Sequence, residues 1–106
     1  MKRICLILVV LVLVCSGSLL AQTFSAICSS SACLPFNPSN SYVAQLAVNV
    51  AASHNAPVGS TIVISYFPPP GNLCDERDLE WTVNHIPTLN SSNLTFEEAY
   101  CDVAGK

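Results

Sequence analysis

Cys28, Cys33, Cys74 and Cys101 constrain this 106-residue chain more than any other feature. The segment ahead of them reads as a leader that carries off the other two cysteines, Cys5 and Cys15. Lys2 and Arg3 precede an unbroken apolar run from Ile4 to Cys15. The small residues Ser16-Gly17-Ser18 follow, then Leu19-Leu20-Ala21 before the polar Gln22-Thr23. A cationic start, an apolar core and a small residue at the cut are the marks of a secretory signal peptide, expected over residues 1–21. The apolar run stops short of the roughly 20 residues that span a bilayer. Cleavage is expected after Ala21, with Ser18 as the alternative. Gln22 would then lead the chain and could cyclise to pyroglutamate, losing its terminal charge.

Residues 22–106 are enough for a single small secreted domain and not for two. A core of that size gives thin stability alone, so covalent staples are expected. Four cysteines in an oxidising compartment imply two disulfides, with three possible pairings. The favoured arrangement is Cys28–Cys33, stapling a local loop, with Cys74–Cys101 tying the terminal segment to the body. Each bridge is expected to stabilise by about 2–4 kcal/mol.

Loss of the leader also leaves the chain acidic. Arg77 and Lys106 remain against Asp75, Glu76, Asp78, Glu80, Glu97, Glu98 and Asp102, a formal net charge of −5 with histidines neutral. So few cations provide no electrostatic footprint for nucleic acid or anionic lipid. Stable membrane insertion after cleavage is not expected either.

Short strands separated by turn signals point to a mainly β fold, a small disulfide-stapled sandwich or barrel-like domain. Thr23–Ile27 reads as an edge strand, and residues 28–40 as a loop rich in serine, proline and asparagine. Ser60–Phe67 is the clearest strand, nearly all β-branched or aromatic, and it ends at Pro68-Pro69-Pro70-Gly71. Leu79–Ile86 alternates, with Trp81 as its core anchor. Leu94–Val103 is expected as a strand, with or without a short helical turn before it. Tyr42–Ala52 fits two periods. Its β-branched residues favour a strand, whereas Val43, Leu46, Ala47 and Val50 would make a helical stripe capped by Ser39 or Ser41. The helical choice makes the domain α+β, with a helix at 41–52.

Candidate chemistry is sparse. Asn90-Ser91-Ser92 and Asn93-Leu94-Thr95 are N-glycosylation sequons in a polar loop, making Asn90 and Asn93 the expected glycan sites. Asp75, Glu76, Arg77, Asp78 and Glu80 lack the spacing and the glycine of a calcium loop, and read as a solvated charged loop. His54 and His85 lie in no paired motif, and the cysteines are committed to disulfides, so no metal site is expected. No serine sits in a nucleophile elbow, and the short chain leaves little room for a substrate cleft. Neither an enzyme nor a cofactor is expected.

The most distinctive surface candidate is Tyr66, Phe67, Pro68, Pro69 and Pro70. A proline run beside two aromatics is rigid at low entropic cost and can present a contact surface. The expectation is therefore a secreted, extracellular, glycosylated module that binds an extracellular protein or matrix component. A protease inhibitor or toxin-like effector using the Phe67–Gly71 loop is the alternative. A structural component of an extracellular matrix is the third reading, motivated by the acidic charge.

Overall fold

The computed structural model describes residues 20–103. All of the expected leader except Leu20 and Ala21 lies outside the described residues. Four strands and one helix make up the domain: β1 (Thr23–Ile27), α1 (Ser41–Ser53), β2 (Thr61–Tyr66), β3 (Cys74–Val83) and β4 (Leu94–Val103). Single 3-10 turns occupy Ser31–Cys33 and Ser91–Asn93. The strands form one mixed sheet in the order β1-β2-β3-β4. β1 runs parallel to β2, and β2, β3 and β4 form an antiparallel meander. The fold is mainly β, as expected. Among the described residues there is no second sheet, and β1 does not pair with β4, so neither a sandwich nor a closed barrel is found there. No described helix is long and apolar enough to cross a membrane.

Residues 41–53 are helical, which corrects the preference for a strand over Tyr42–Ala52 and agrees with the alternative of a helix at 41–52. Three features decide it. First, the parallel β1–β2 pair needs a long crossover, which a helix supplies. Second, the inward stripe Val43, Ala47, Val48 and Ala51 is buried at helical spacing, its alanines letting the helix sit close to the sheet. Third, the cap is Asn40 rather than Ser39 or Ser41. Its Oδ1 accepts from the backbone N–H of Tyr42 at 2.9 Å and of Val43 at 3.3 Å. Its Nδ2 donates to the carbonyls of Ala32 and Pro35, both at 3.1 Å, so one amide joins the helix start to the preceding loop.

The helix ends in a Schellman motif. Asn55 takes the left-handed conformation at φ 49°, Ala56 N–H reaches Ala51 O at 3.0 Å, and Asn55 N–H reaches Ala52 O at 3.2 Å.

The helix packs on a single face of the sheet. Ile62 and Ile64 of β2 stand beside their cross-strand partners Trp81 and Leu79, and all four are buried with Val83 under Val43, Ala47 and Ala51. Phe24 and Ala26 extend this layer on β1, Leu94 and Phe96 on β4. Trp81 is the expected anchor, and Phe96 meets it edge-on with ring centroids 5.7 Å apart.

Both disulfides are formed. Cys28–Cys33 closes the loop between β1 and α1, with Cys33 in the core, and Cys74–Cys101 links β3 to β4. Strand β3 begins at Cys74, so Asp75–Asp78 is strand rather than the solvated loop expected for it.

Candidate binding face

Side chains alternate across a strand, so the residues between the core positions of β3 face away from the helix. Those residues are Glu76, Asp78, Glu80 and Thr82. On β2 the corresponding residues are Thr61, Val63 and Ser65, opposite Thr82, Glu80 and Asp78 respectively. On β4 they are Glu98, Tyr100 and Asp102, opposite Glu80, Asp78 and Glu76. Five carboxylates therefore share this face, and Arg77 points with the core positions of β3 instead.

A bulge makes the arrangement possible. Trp81 pairs with Phe96 and Glu80 with Glu98, leaving Glu97 as an extra residue. Phe96 and Glu98 are two apart and would otherwise share a face. The additional residue lets Phe96 enter the core while Glu98 faces outward.

Like charges directly opposite one another destabilise a sheet, and here Glu80 faces Glu98 and Glu76 faces Asp102. The protonation of the cluster responds accordingly. Glu76 is raised above its ordinary value of 4.5, first by a hydrogen bond it shares with Asp78, then by burial and the neighbouring negative charge. Glu80 is raised by burial first, then by Glu98 and Asp78. Tyr100 is raised chiefly because its hydroxyl donates to Glu98. Carboxylate oxygens of Glu76, Asp78 and Asp102 lie within 4.8 Å of one another. Asp78 Oδ1 is shielded from water and has no hydrogen-bond partner.

No described helix or turn covers this face; α1 packs on the opposite one, and both 3-10 turns lie beside α1. The surface is a broad pleat rather than a cleft. A shallow depression lies elsewhere, on the outer side of α1, lined by Tyr42, Gln45, Leu46 and Asn49 and holding no carboxylate, histidine or hydroxyl nucleophile other than the Tyr42 phenol.

The other expected site residues are dispersed. Tyr66 is half-buried and stacks on Phe36 at 5.6 Å, so it belongs to the packing beneath the proline loop rather than to a free contact surface. Phe67, Pro69 and Pro70 are exposed and Pro68 is half-buried. The loop turns at Gly71, whose φ of +96° favours glycine, and Cys74 N–H closes it onto Asn72 Oδ1 at 3.0 Å.

Of the two sequon asparagines, Asn90 is exposed and its Oδ1 caps the following 3-10 turn through Ser92 N–H. Asn93 is only 7% exposed. Its Oδ1 accepts from both the backbone N–H and the hydroxyl of Thr88, at 2.9 and 2.8 Å, so the side chain braces the β3–β4 connection. His54 follows α1 and stacks on Phe24 at 4.8 Å, while His85 lies on an exposed loop with Nδ1 3.0 Å from Asn84 Oδ1. Neither joins the carboxylates.

Sequence reasoning missed the face itself. The period-two spacing of Glu76, Asp78 and Glu80 was the available signal, but their convergence with Glu98 and Asp102 depends on long-range register. Comparison with known proteins leaves the site to be interpreted on its own chemistry: no family model, curated protein or solved structure matches this chain.

Proposed function

We propose that this chain is a secreted, disulfide-stapled binding module that holds an extracellular protein or matrix component on the open face of its sheet. The observation carrying this reading is the row of Glu76, Asp78, Glu80, Glu98 and Asp102, four of them in the like-charged cross-strand pairs Glu80–Glu98 and Glu76–Asp102, on a face that no described helix or turn covers. A local arrangement that costs stability is characteristic of a functional surface. The pleated surface suits a macromolecule better than a small substrate, which binds in concave pockets. The leader pattern and the two disulfides support an extracellular address.

Glycosylation fits the same picture at Asn90 and not at Asn93. Asn90 lies beyond the start of β4, and Asp102 is near its far end, so a glycan there leaves the carboxylates accessible. Asn90→Gln is expected to remove one glycosidase-sensitive mobility step. Asn93→Gln is expected to lower stability and keep the glycan.

The reading is tested by capture from extracellular fluid with two folded baits. One is the native protein, and the other carries Glu80→Gln, Glu98→Gln and Asp102→Asn together. An extracellular protein enriched by the first and lost from the second supports the reading. Identical captures from the two baits would overturn it.

The exposed Phe67 and the prolines that follow it favour a second reading, a protease inhibitor. Cys74–Cys101 anchors the chain immediately after this loop, as a rigid inhibitory loop requires. Near-stoichiometric inhibition of one enzyme in a protease panel, abolished by replacing Pro68, Pro69 and Pro70, would favour it over the acidic face.

A further inference from the structure

β4 is the outer strand on the acidic side of the sheet. It pairs with β3 along one edge, and none of the described backbone groups bonds its other edge. All of its ten residues except Leu94 and Phe96 are exposed. Alternate residues of such a strand aim N–H and C=O groups outward, a ready template for an incoming strand. Natural edges are commonly guarded by lysine, proline, brevity or an overlying element. β4 contains no lysine and no proline, and it is as long as β3. Its bulge at Glu97 leaves Glu98–Val103 as an unbroken run of β4, since the second irregularity of the register places its extra residue, Asp75, on β3.

We propose that the Glu98–Val103 edge of β4 accepts an extended cationic segment of a partner protein as a fifth strand, with basic side chains four positions apart, over Glu98 and Asp102. The proposal rests on the binding-module reading and specifies its partner. Residues of an added strand share a face with their cross-strand neighbours, so those opposite Glu98, Tyr100 and Asp102 stand on the open face. The complementary sequence is therefore basic, any, apolar, any, basic, with the apolar residue lying along the Tyr100 ring. Its cations would also lie near Glu80 and Glu76, the cross-strand neighbours of Glu98 and Asp102.

Charge selects a foreign segment over a second copy. An antiparallel β4 pair centred on Tyr100 sets Glu98 of each copy against Asp102 of the other. That would add like-charge contacts to a face where they already occur. The opposite edge offers less: β1 has only five residues, Thr23–Ile27, none of them charged.

The test uses the folded protein and a synthetic peptide built on the sequence Lys-Thr-Val-Thr-Lys. A matched peptide keeps every charge but is N-methylated at the amides that would face β4. Affinity is read by fluorescence anisotropy at low salt, and protection by amide hydrogen exchange. The unmodified peptide is expected to bind and to slow exchange within residues 98–103, and the methylated peptide to lose both effects. Glu98→Gln with Asp102→Asn, both exposed positions, is expected to weaken binding about tenfold. Should that variant fail to fold, the two peptides on the native protein still decide the matter.

Equal binding by the two peptides would overturn strand addition while leaving acidic-face binding in place. Strand addition is likewise overturned if neither peptide binds but the native and neutralised baits capture different proteins. Concentration-dependent dimers that protect residues 98–103 without peptide would assign the edge to a second copy and overturn the proposal.

Discussion

On the helix side of β3, Leu79, Trp81 and Val83 are buried beneath α1, while Glu76, Asp78 and Glu80, interleaved with them, face the open side. The same backbone thus supports two surfaces of opposite character. On the covered side each side chain has complementary neighbours and loses contact with water. On the open side Glu80 faces Glu98 and Glu76 faces Asp102, and Glu76 is raised above its ordinary value. The pleat thus separates packing from charge, one residue at a time. A substitution's consequence should therefore depend more on which face it occupies than on where it lies along the strand.

The largest expected effect is on the covered side. Trp81→Ala should cost about 3–5 kcal/mol, measured by urea denaturation, because it removes both the buried indole and its edge contact with Phe96. Asn40→Ala should cost up to about 2 kcal/mol, since it removes the helix cap and the two bonds to the Cys28–Cys33 region.

Open-face substitutions should reverse the sign. Glu98→Thr is expected to stabilise by about 0.2–1 kcal/mol at neutral pH, read from the same denaturation curves, because it relieves the repulsion with Glu80. A loss of stability there would break the comparison.

Acidity tests the same face without mutation. Glu76 and Glu80 hold protons more tightly in the folded chain than their ordinary value of 4.5, so the folded state binds more protons as pH falls from neutrality. Their contribution is fully present below that ordinary value and is lost as pH rises through the raised folded values. Denaturation midpoints should therefore move upward on acidification from neutral pH towards 4.5, and Glu76→Gln with Glu80→Gln should flatten this component.

The smallest effect is expected from deleting Glu97. Removing the extra residue restores simple alternation, with Phe96 still inward and Glu98 still outward. Amide spectra of β2 and α1 should be nearly unchanged, and widespread changes would show that the bulge is needed for packing.

Much of the covered side was legible in the amino-acid sequence. Ser60–Phe67 contains β2, and the alternation around Trp81 identifies its inward position, because local β preference and burial agree there. The Tyr42–Ala52 segment was ambiguous because its valines fit a strand while its alanines fit a helix. The decisive influences were the Asn40 cap and the crossover demanded by a parallel strand pair, and the second of these is nonlocal. The acidic face was harder to read for two reasons. Charged residues from Asp75 to Asp78 resemble a solvated loop when considered alone. The bulge at Glu97 also changes the facing of β4 between Phe96 and Glu98, which no regular alternation reveals. Asn93 likewise carries a sequon's local pattern, and only its contacts with Thr88 show that it is an internal brace.

The two edges of β2 have unequal histories during folding. Its β3 neighbour arrives through a short hairpin, whereas β1 must return from the other end of a crossover, with Gln22 meeting Ser60 across a separation of 38 residues. Contacts of long sequence separation tend to form late. The meander is thus expected to assemble first, with Thr23–Ile27 docking as the closing step. Until it docks, Ile62, Val63 and Ile64 lie on an unguarded apolar edge, where association between nascent chains competes with completion of the sheet. The five residues of β1 are consequently expected to act as an internal chaperone for β2, and weakening them should reduce the yield of folded protein more than the stability of the molecules that succeed.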